Sequence, residues 1–101
     1  MLFEWDENKS AITLADRGID FDLAATVFFD PHHIAGPDRT VRGEQRYAVI
    51  GRCVSEDILC VIYTWRHYEN ETRCRLISAR KARREERSRY QEVYEIPQGK
   101  A

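Results

Sequence analysis

The sequence lacks any long run of apolar residues. Its 101 residues are 43% hydrophobic and 33% charged, and no stretch reaches the ~18 to 20 apolar residues that a membrane-spanning helix needs. The first residues, Met1 to Asp6, also lack the basic-then-apolar layout of a secretory signal peptide. We therefore expect one domain over residues 1–101, located in the cytoplasm and not associated with a membrane.

Cysteine and cofactor motifs are equally scarce. The three cysteines, Cys53, Cys60 and Cys74, are an odd number in segments that resemble strands, which favours buried thiols over a disulfide framework. No phosphate-binding Walker loop, dinucleotide fingerprint, nucleophile elbow or Cys-x-x-Cys pair is present. His32 and His33 follow Asp30, but adjacent histidines in an extended chain point apart and no third ligand stands in register. We therefore expect neither a metal nor a cofactor.

Net charge is also nearly absent, at -1 for the whole chain, and taken alone it argues against a nucleic-acid ligand. The total hides an asymmetry, because residues 1–38 carry 2 basic and 8 acidic side chains while residues 39–90 carry 13 basic and 7 acidic ones. Twelve of those 13 basic residues are arginines, whose planar guanidinium binds phosphate in two places. The second region therefore favours a polyanion or an oppositely charged partner, although a solvated face paired with glutamates is the simpler interpretation.

The first third of the chain has helical signals. Asp6 and Gly18 provide a cap and a stop for a helix near residues 7–17. Asp20 precedes a second stripe of apolar residues at helical spacing, from Phe21 to Phe28. Residues 30–45, with their prolines and glycines, are typical of a loop.

The remainder alternates as strands do and then becomes helical. Apolar residues from position 46, a continuous apolar run at 58–65 and the mixed segment 73–79 predict a three-stranded antiparallel meander whose second strand is central. After Ala82 the composition favours a helix, which Pro97 and Gly99 end. The predicted class is α+β, with two N-terminal helices, the meander and a C-terminal helix.

A cluster of cations at the end of the second strand, on the third strand and on the last helix is the main functional candidate. Alternation along a strand puts Arg75 and Arg80 on opposite faces unless a bulge intervenes near Ser78 and Ala79. Arg80 and Lys81, at the junction of strand and helix, are the better candidates for a phosphate clamp. The candidate RNA-binding residues are Arg73, Arg75, Arg83, Arg84 and Arg87.

RNA cleavage without a metal is a reaction that such a cluster can support. The 2′-hydroxyl of RNA attacks the adjacent phosphate, and the protein moves protons and stabilises the charge that builds on the phosphoryl group. Glu86 and Tyr90, four residues apart on one helix face, are candidates for the proton transfers, and His67 is an outside candidate. A structural ion pair for Glu86 and a buried ring for Tyr90 are the alternatives.

Several short motifs, in order along residues 2–91, resemble the BrnT family of bacterial toxins. The matching segments are Phe-Glu-Trp-Asp-Glu at 3–7, Gly-Ile at 18–19, Ala-Ala-Thr-Val-Phe at 24–28, Asp-Pro at 30–31, Gly-Glu at 43–44, Ile-Gly-Arg at 50–52, Val-Ile-Tyr-Thr at 61–64, Ile-Ser-Ala-Arg-Lys-Ala at 77–82, and Glu-Arg at 86–87 with Tyr90.

The resemblance implies a fold similar to the RelE and ParE toxins, a ribonuclease activity that arrests translation, and neutralisation by a BrnA-type antitoxin that supplies the contact with DNA. It places the family's basic position after the second strand on Arg66, so that the catalytic candidates are Arg66, Arg80, Lys81, Glu86 and Tyr90. Trp65 stands where an acidic residue is expected, and the loop at 67–72 is longer than usual. The alternative is a module of a toxin-antitoxin complex that binds nucleic acid or protein without catalysis.

Overall fold

The computed structural model describes residues 1–94, and the predicted helix end at Pro97 and Gly99 lies outside the described residues. Three α-helices, a 3₁₀ turn and five strands follow one another in the order β1 (Leu2–Glu4), α1 (Glu7–Arg17), α2 (Phe21–Ala25), the 3₁₀ turn (Thr26–Phe29), β2 (Ile34–Val41), β3 (Glu44–Arg52), β4 (Ile58–His67), β5 (Thr72–Lys81) and α3 (Arg84–Tyr94).

The five strands form one mixed sheet in the order β1-β5-β4-β3-β2. β1 runs parallel to β5, and the other neighbours are antiparallel. The α+β class is therefore confirmed, but the predicted arrangement of two N-terminal helices, a three-stranded antiparallel meander and a C-terminal helix is wrong. β1 has only three residues, too few to show an alternating pattern. β2 contains Gly36 and Pro37, which are typical of loops but are tolerated in an edge strand such as this one.

Short-range capping explains why the N-terminal helices form where they do. The Asp6 carboxylate accepts hydrogen bonds from the backbone N–H groups of Asn8 and Lys9 and so caps α1. Gly18 ends α1 with a φ of 73°, a left-handed conformation that favours glycine. The second apolar stripe does not form one continuous α-helix, because α2 ends at Ala25 and the chain continues as the 3₁₀ turn.

One face of the sheet packs against α1, α2 and the 3₁₀ turn. Its core contains fully buried residues such as Phe21, Leu59 and Val61. β4 is the middle strand and contributes buried residues to both faces, as the unbroken apolar run at 58–65 predicts. Cys53, Cys60 and Cys74 are buried and free, which confirms their interpretation as core residues.

Within residues 1–94, the opposite face of the sheet is covered at one end by α3. There α3 packs Tyr90 against Ile50, Cys60 and Ala82 in a second, smaller core. The face continues beyond this core along β3, β4 and β5 with polar and charged side chains, among them Arg46, which is half-buried. None of the helices in the described part of the chain combines the length and the apolarity that crossing a membrane requires.

Candidate functional site

The uncovered part of this face forms two adjoining depressions, which we call the arginine groove. Asp38, Ile62 and Arg80 line both depressions, so they stand at the junction between them. Glu86 and Arg89 of α3 contribute to the depression nearer the second core. Five arginines line the other depression: Arg17, Arg39, Arg46, Arg80 and Arg83.

A β-bulge in β5 decides which arginines face the groove. Ile62 of β4 pairs with Ser78, whereas the next residue, Tyr63, pairs with Leu76, so Ile77 is an extra residue in β5. The bulge shifts the alternation by one residue, which places Arg75 and Arg80 on the same face of the sheet. From the sequence, we expected Arg75 and Arg80 to share a face only if a bulge lay near Ser78 and Ala79. The structure has this bulge at Ile77.

Arg80 is held in place by Glu86. Arg80 Nη1 lies 2.7 Å from Glu86 Oε1, and Nη2 lies 2.9 Å from Oε2. Glu86 Oε1 also accepts a hydrogen bond of 2.8 Å from the backbone N–H of Arg83, which is the residue just before α3. One carboxylate therefore caps the helix and fixes the orientation of the guanidinium, which is the geometry of a bidentate pair.

The same contacts set the proton affinity of Glu86. The hydrogen bond from Arg80 lowers its pKa from 4.5 to about 2, against burial, which raises it, and with the help of the Arg83 N–H. Glu86 is therefore an anion at neutral pH and holds no proton to donate.

Glu86 is expected to make the stability of the fold depend on pH below 4.5. A carboxylate with a lowered pKa in the folded state stabilises the fold fully above its unfolded value of 4.5, and the stabilisation is lost as the pH falls from 4.5 towards 2. We expect Glu86→Gln to remove up to about 3 kcal/mol of this pH-dependent stability. Urea unfolding of both proteins between pH 2 and 7 measures the difference. Parallel curves for the two proteins would contradict the assignment.

Arg66 lies on the same face as Arg80 but far from it. Its Nε is 3.1 Å from Glu44 Oε2, and Glu44 also pairs with Arg46 across 3.7 Å. Arg66 lies six residues along β4 from Cys60, the partner of Arg80, which corresponds to about 20 Å along the strand. The two arginines therefore share a surface but cannot bind one phosphate together.

Arg73 and Arg75 form a separate cluster around Glu4 of β1. Arg75 Nη1 lies 3.1 Å from Glu4 Oε2, and Arg73 Nη1 lies 3.5 Å from Glu4 Oε1. Arg73 also pairs with Glu71, and its guanidinium lies 5.0 Å from the centre of the Tyr68 ring. These ion pairs reduce the positive charge that the edge of the sheet offers to a polyanion.

Two of the predicted catalytic residues lie outside the arginine groove. Lys81 pairs with Leu59 on the opposite face of the sheet from Arg80, so the structure does not bring the two cations together. Tyr90 is fully buried, and its hydroxyl donates a hydrogen bond of 2.6 Å to Asp30 Oδ2. Burial and this hydrogen bond raise the pKa of Tyr90 to about 12.

The other predicted residues lie at the rim of the groove, on the outside of α3 or, in the case of His67, at the end of β4. Arg83 lines the groove, whereas Arg84 is exposed on the first turn of α3. Arg87 donates a hydrogen bond to the Ala82 carbonyl across 2.6 Å. His67 is exposed, and its Nδ1 lies 3.1 Å from the Thr72 hydroxyl.

Sequence reasoning missed four groove residues, Arg17, Asp38, Arg39 and Arg46. Arg17 ends α1 and reaches the groove by donating a hydrogen bond of 2.8 Å to the Ala79 carbonyl. Asp38 and Arg39 belong to β2, which the sequence presented as a loop. The signal for Arg39 and Arg46 was the arginine excess beginning at residue 39, but nothing local in the sequence indicates which face they occupy.

Comparison with known proteins identifies the chain. A family model described as "Ribonuclease toxin, BrnT, of type II toxin-antitoxin system" matches residues 5–86. This chain belongs to the BrnT family. It is also similar to the ribonuclease toxin BrnT of Brucella abortus in its 1.1 Å crystal structure, with 28% sequence identity over 82% of this chain and 99% of that chain and a TM-score of 0.56. The comparison with curated protein sequences yields no match.

As a BrnT protein, the chain is a ribonuclease toxin of a type II toxin-antitoxin system, and a toxin of this type has an antitoxin partner. Trp65, the departure from the BrnT pattern, packs against the first core with its ring centre 5.8 Å from that of Tyr63. It pairs with buried Cys74 and therefore lies on the face opposite the groove. Trp65 therefore does not line the arginine groove of this BrnT chain.

Proposed function

We propose that this BrnT chain is a metal-independent endoribonuclease that cuts RNA by attack of the 2′-hydroxyl on the adjacent phosphate and so inhibits translation. The arginine groove is the proposed active site. The observation that carries the proposal is the Arg80–Glu86 pair at the junction of the two depressions. A fixed guanidinium in a groove is the arrangement that stabilises negative charge developing on a phosphoryl group.

Arg80 has capacity for a ligand beyond its internal contacts. A guanidinium carries five N–H donors, and three hydrogen bonds, two to Glu86 and a longer one to the Lys81 carbonyl, leave donors for a phosphate. Arg39 and Arg83 form no ion pair with the described residues, so their charge is available to neighbouring phosphates. In this mechanism the arginines supply the positive charge that divalent metals supply in other nucleases.

The candidate residues take different roles in this proposal. Arg80 contacts the scissile phosphate, and Glu86 is its positioning residue, because a carboxylate with a pKa of about 2 is a poor proton carrier. Arg66 contacts a phosphate elsewhere on the same strand of RNA. The contacts of Tyr90 support a structural role, and the placement of Lys81 on the opposite face of the sheet gives it no role in this proposal.

Incubation of the purified toxin with single-stranded RNA in excess EDTA tests the function. We expect cleavage to continue, with one product ending in a 2′,3′-cyclic phosphate and the other beginning with a 5′-hydroxyl. An oligonucleotide with 2′-deoxyribose throughout is expected to stay intact, because it lacks the nucleophile. Cleavage that stops with EDTA and returns with Mg²⁺ would refute metal independence, and growth arrest with intact RNA would favour the non-catalytic alternative.

We also propose that the partner is a BrnA-type antitoxin, that both proteins act in the cytoplasm, and that contact with DNA occurs only through the antitoxin. The acidic and basic halves of the chain support an electrostatic component to this binding. A groove that attracts RNA phosphates attracts an acidic antitoxin segment by the same charges.

A further inference from the structure

Asp38 is the feature of the groove that the proposed mechanism leaves without a role. It is an exposed residue of the edge strand β2, yet it lines both depressions together with Arg80. The hydrogen bond to Glu86 raises the pKa of Arg80, and the negative charge of Asp38 adds to this effect. A carboxylate at the centre of a phosphate-binding groove repels the ligand, and it therefore needs an explanation.

Asp38 follows Ile34 and Gly36 on the groove face by ordinary alternation, and a second β-bulge brings its neighbour Arg39 to the groove as well. Pro37 pairs with Tyr47, but the next pair joins Thr40 to Gln45, so β2 has one residue more than β3 in this stretch. In a regular strand Asp38 and its neighbour Arg39 would face opposite sides of the sheet. Both line the groove instead. Bulges re-aim side chains in this way at the rims of functional sites.

Gln45 stabilises the bulge. Its Nε2 donates hydrogen bonds to the backbone carbonyl of Asp38, across 3.1 Å, and to that of Arg46, across 2.7 Å. Its Oε1 lies 3.4 Å from the Thr40 hydroxyl. These bonds hold the backbone of residues 38–40, whereas the Asp38 carboxylate itself accepts no hydrogen bond and joins no ion pair within residues 1–94.

The other acidic groups that line the groove are hydrogen-bonded or buried. Glu86 is bonded to Arg80 and to the backbone N–H of Arg83. Cys60 lines the groove, but burial raises the pKa of its thiol. Among the described residues that line the groove, Asp38 alone is an exposed carboxylate that accepts no hydrogen bond and joins no ion pair.

We propose that Asp38 is the general base of the cleavage reaction. This inference rests on the function proposed above. The Asp38 carboxylate takes the proton of the 2′-hydroxyl as the 2′-oxygen forms its bond to phosphorus, while Arg80 binds the non-bridging oxygens. The bond between phosphorus and the 5′-oxygen then breaks, the departing oxygen takes a proton from water, and the hydroxide that remains takes the proton from Asp38, which regenerates the carboxylate. The products are one RNA that ends in a 2′,3′-cyclic phosphate and one RNA that begins with a 5′-hydroxyl.

Asp38→Asn tests the inference because it preserves the shape of the side chain and removes the base. We expect single-turnover cleavage to slow by about 100-fold, within the usual contribution of a general base. RNA affinity, measured with a 2′-deoxy oligonucleotide that cannot be cut, should stay equal or increase, because a negative charge has left the groove. Asp22→Asn, an exposed carboxylate on α2, is the matched control and should cleave at the wild-type rate.

A substrate with sulfur in place of the 5′-bridging oxygen separates base from acid, since a thiolate leaves without a proton. Asp38→Asn should cut this substrate slowly as well. If Asp38→Asn cut the sulfur-containing substrate at the wild-type rate, Asp38 would not be the base. The assignment would also be overturned if Asp38→Asn lost RNA affinity by the same factor as it lost cleavage rate. Wild-type cleavage by Asp38→Asn, alongside a strong defect in Arg80→Ala, would refute the role of Asp38 and leave the proposed function standing. Failure of the wild-type protein to cut RNA would refute both.

Discussion

Arg80→Ala is expected to lower single-turnover RNA cleavage by about 10² to 10³-fold, the usual cost of removing one preorganised donor to a developing oxyanion. The large effect follows from the two hydrogen bonds of 2.7 and 2.9 Å to Glu86, which orient the guanidinium before RNA binds. Arg80→Lys should restore only part of the rate, because lysine keeps the charge but loses the planar fork. Gel-resolved cleavage of an end-labelled RNA measures all three proteins.

Two controls make this result specific. Lys9→Ala removes one positive charge from exposed α1, on the far side of the sheet, and should leave cleavage unchanged. The double variant Arg80→Ala with Glu86→Gln should be no slower than Arg80→Ala alone, because a positioning residue has nothing left to position. Additive losses would show that Glu86 acts in cleavage independently of Arg80, and an unaffected Arg80→Ala would remove the proposed active site.

Asp30→Ala is expected to produce the largest loss of stability, about 3 kcal/mol, because it leaves several partly buried donors without an acceptor. Its carboxylate accepts hydrogen bonds from the Tyr90 hydroxyl (2.6 Å), the Arg52 backbone N–H (2.7 Å) and the His32 backbone N–H (2.9 Å). Burial opposes its ionisation, but these bonds outweigh burial and lower its pKa. Asp30 therefore ties α3 to the end of β3 and to the segment before β2.

Thermal unfolding measures this effect as a fall in Tm of roughly 10 to 20 °C for a domain of this size. Tyr90→Phe removes one of the three bonds and should cost about 1 kcal/mol. Asp16→Ala, an exposed carboxylate on α1, is the control and should change stability by less than about 0.5 kcal/mol. Equal Tm values for Asp30→Ala and Asp16→Ala would show that the hydrogen bonds to Asp30 do not hold α3 in place.

The parts of the fold that the sequence predicted are those with local causes. The bounds of α1 follow from a cap at Asp6 and a stop at Gly18, both within a turn of the helix they limit. The central position of β4 follows from an apolar run that is buried on both faces. β1 and β2 escaped prediction, because the first is three residues long and the second contains loop-forming residues that only an edge position tolerates.

The sequence predicted several residues of the site, but it did not predict which of them contact each other. Arg80 and Glu86 were singled out as separate functional candidates, and the structure joins them in one pair. Tyr90 shares a helix face with Glu86 in sequence spacing, yet it turns into the second core to reach Asp30, 60 residues away along the chain. Helical spacing shows which residues share a face, but it does not show what that face contacts.

The sequence by itself determined the α+β class, the BrnT family and the concentration of arginine after residue 38, because composition and short motifs need no knowledge of distant partners. The tertiary structure alone decided which of those arginines line the groove. The bulge at Ile77 in β5 puts Arg75 on the same face as Arg80, and the bulge next to Asp38 in β2 brings Arg39 to the groove beside Asp38. A bulge depends on the register between two strands, and register is a property of the pair that neither strand carries alone.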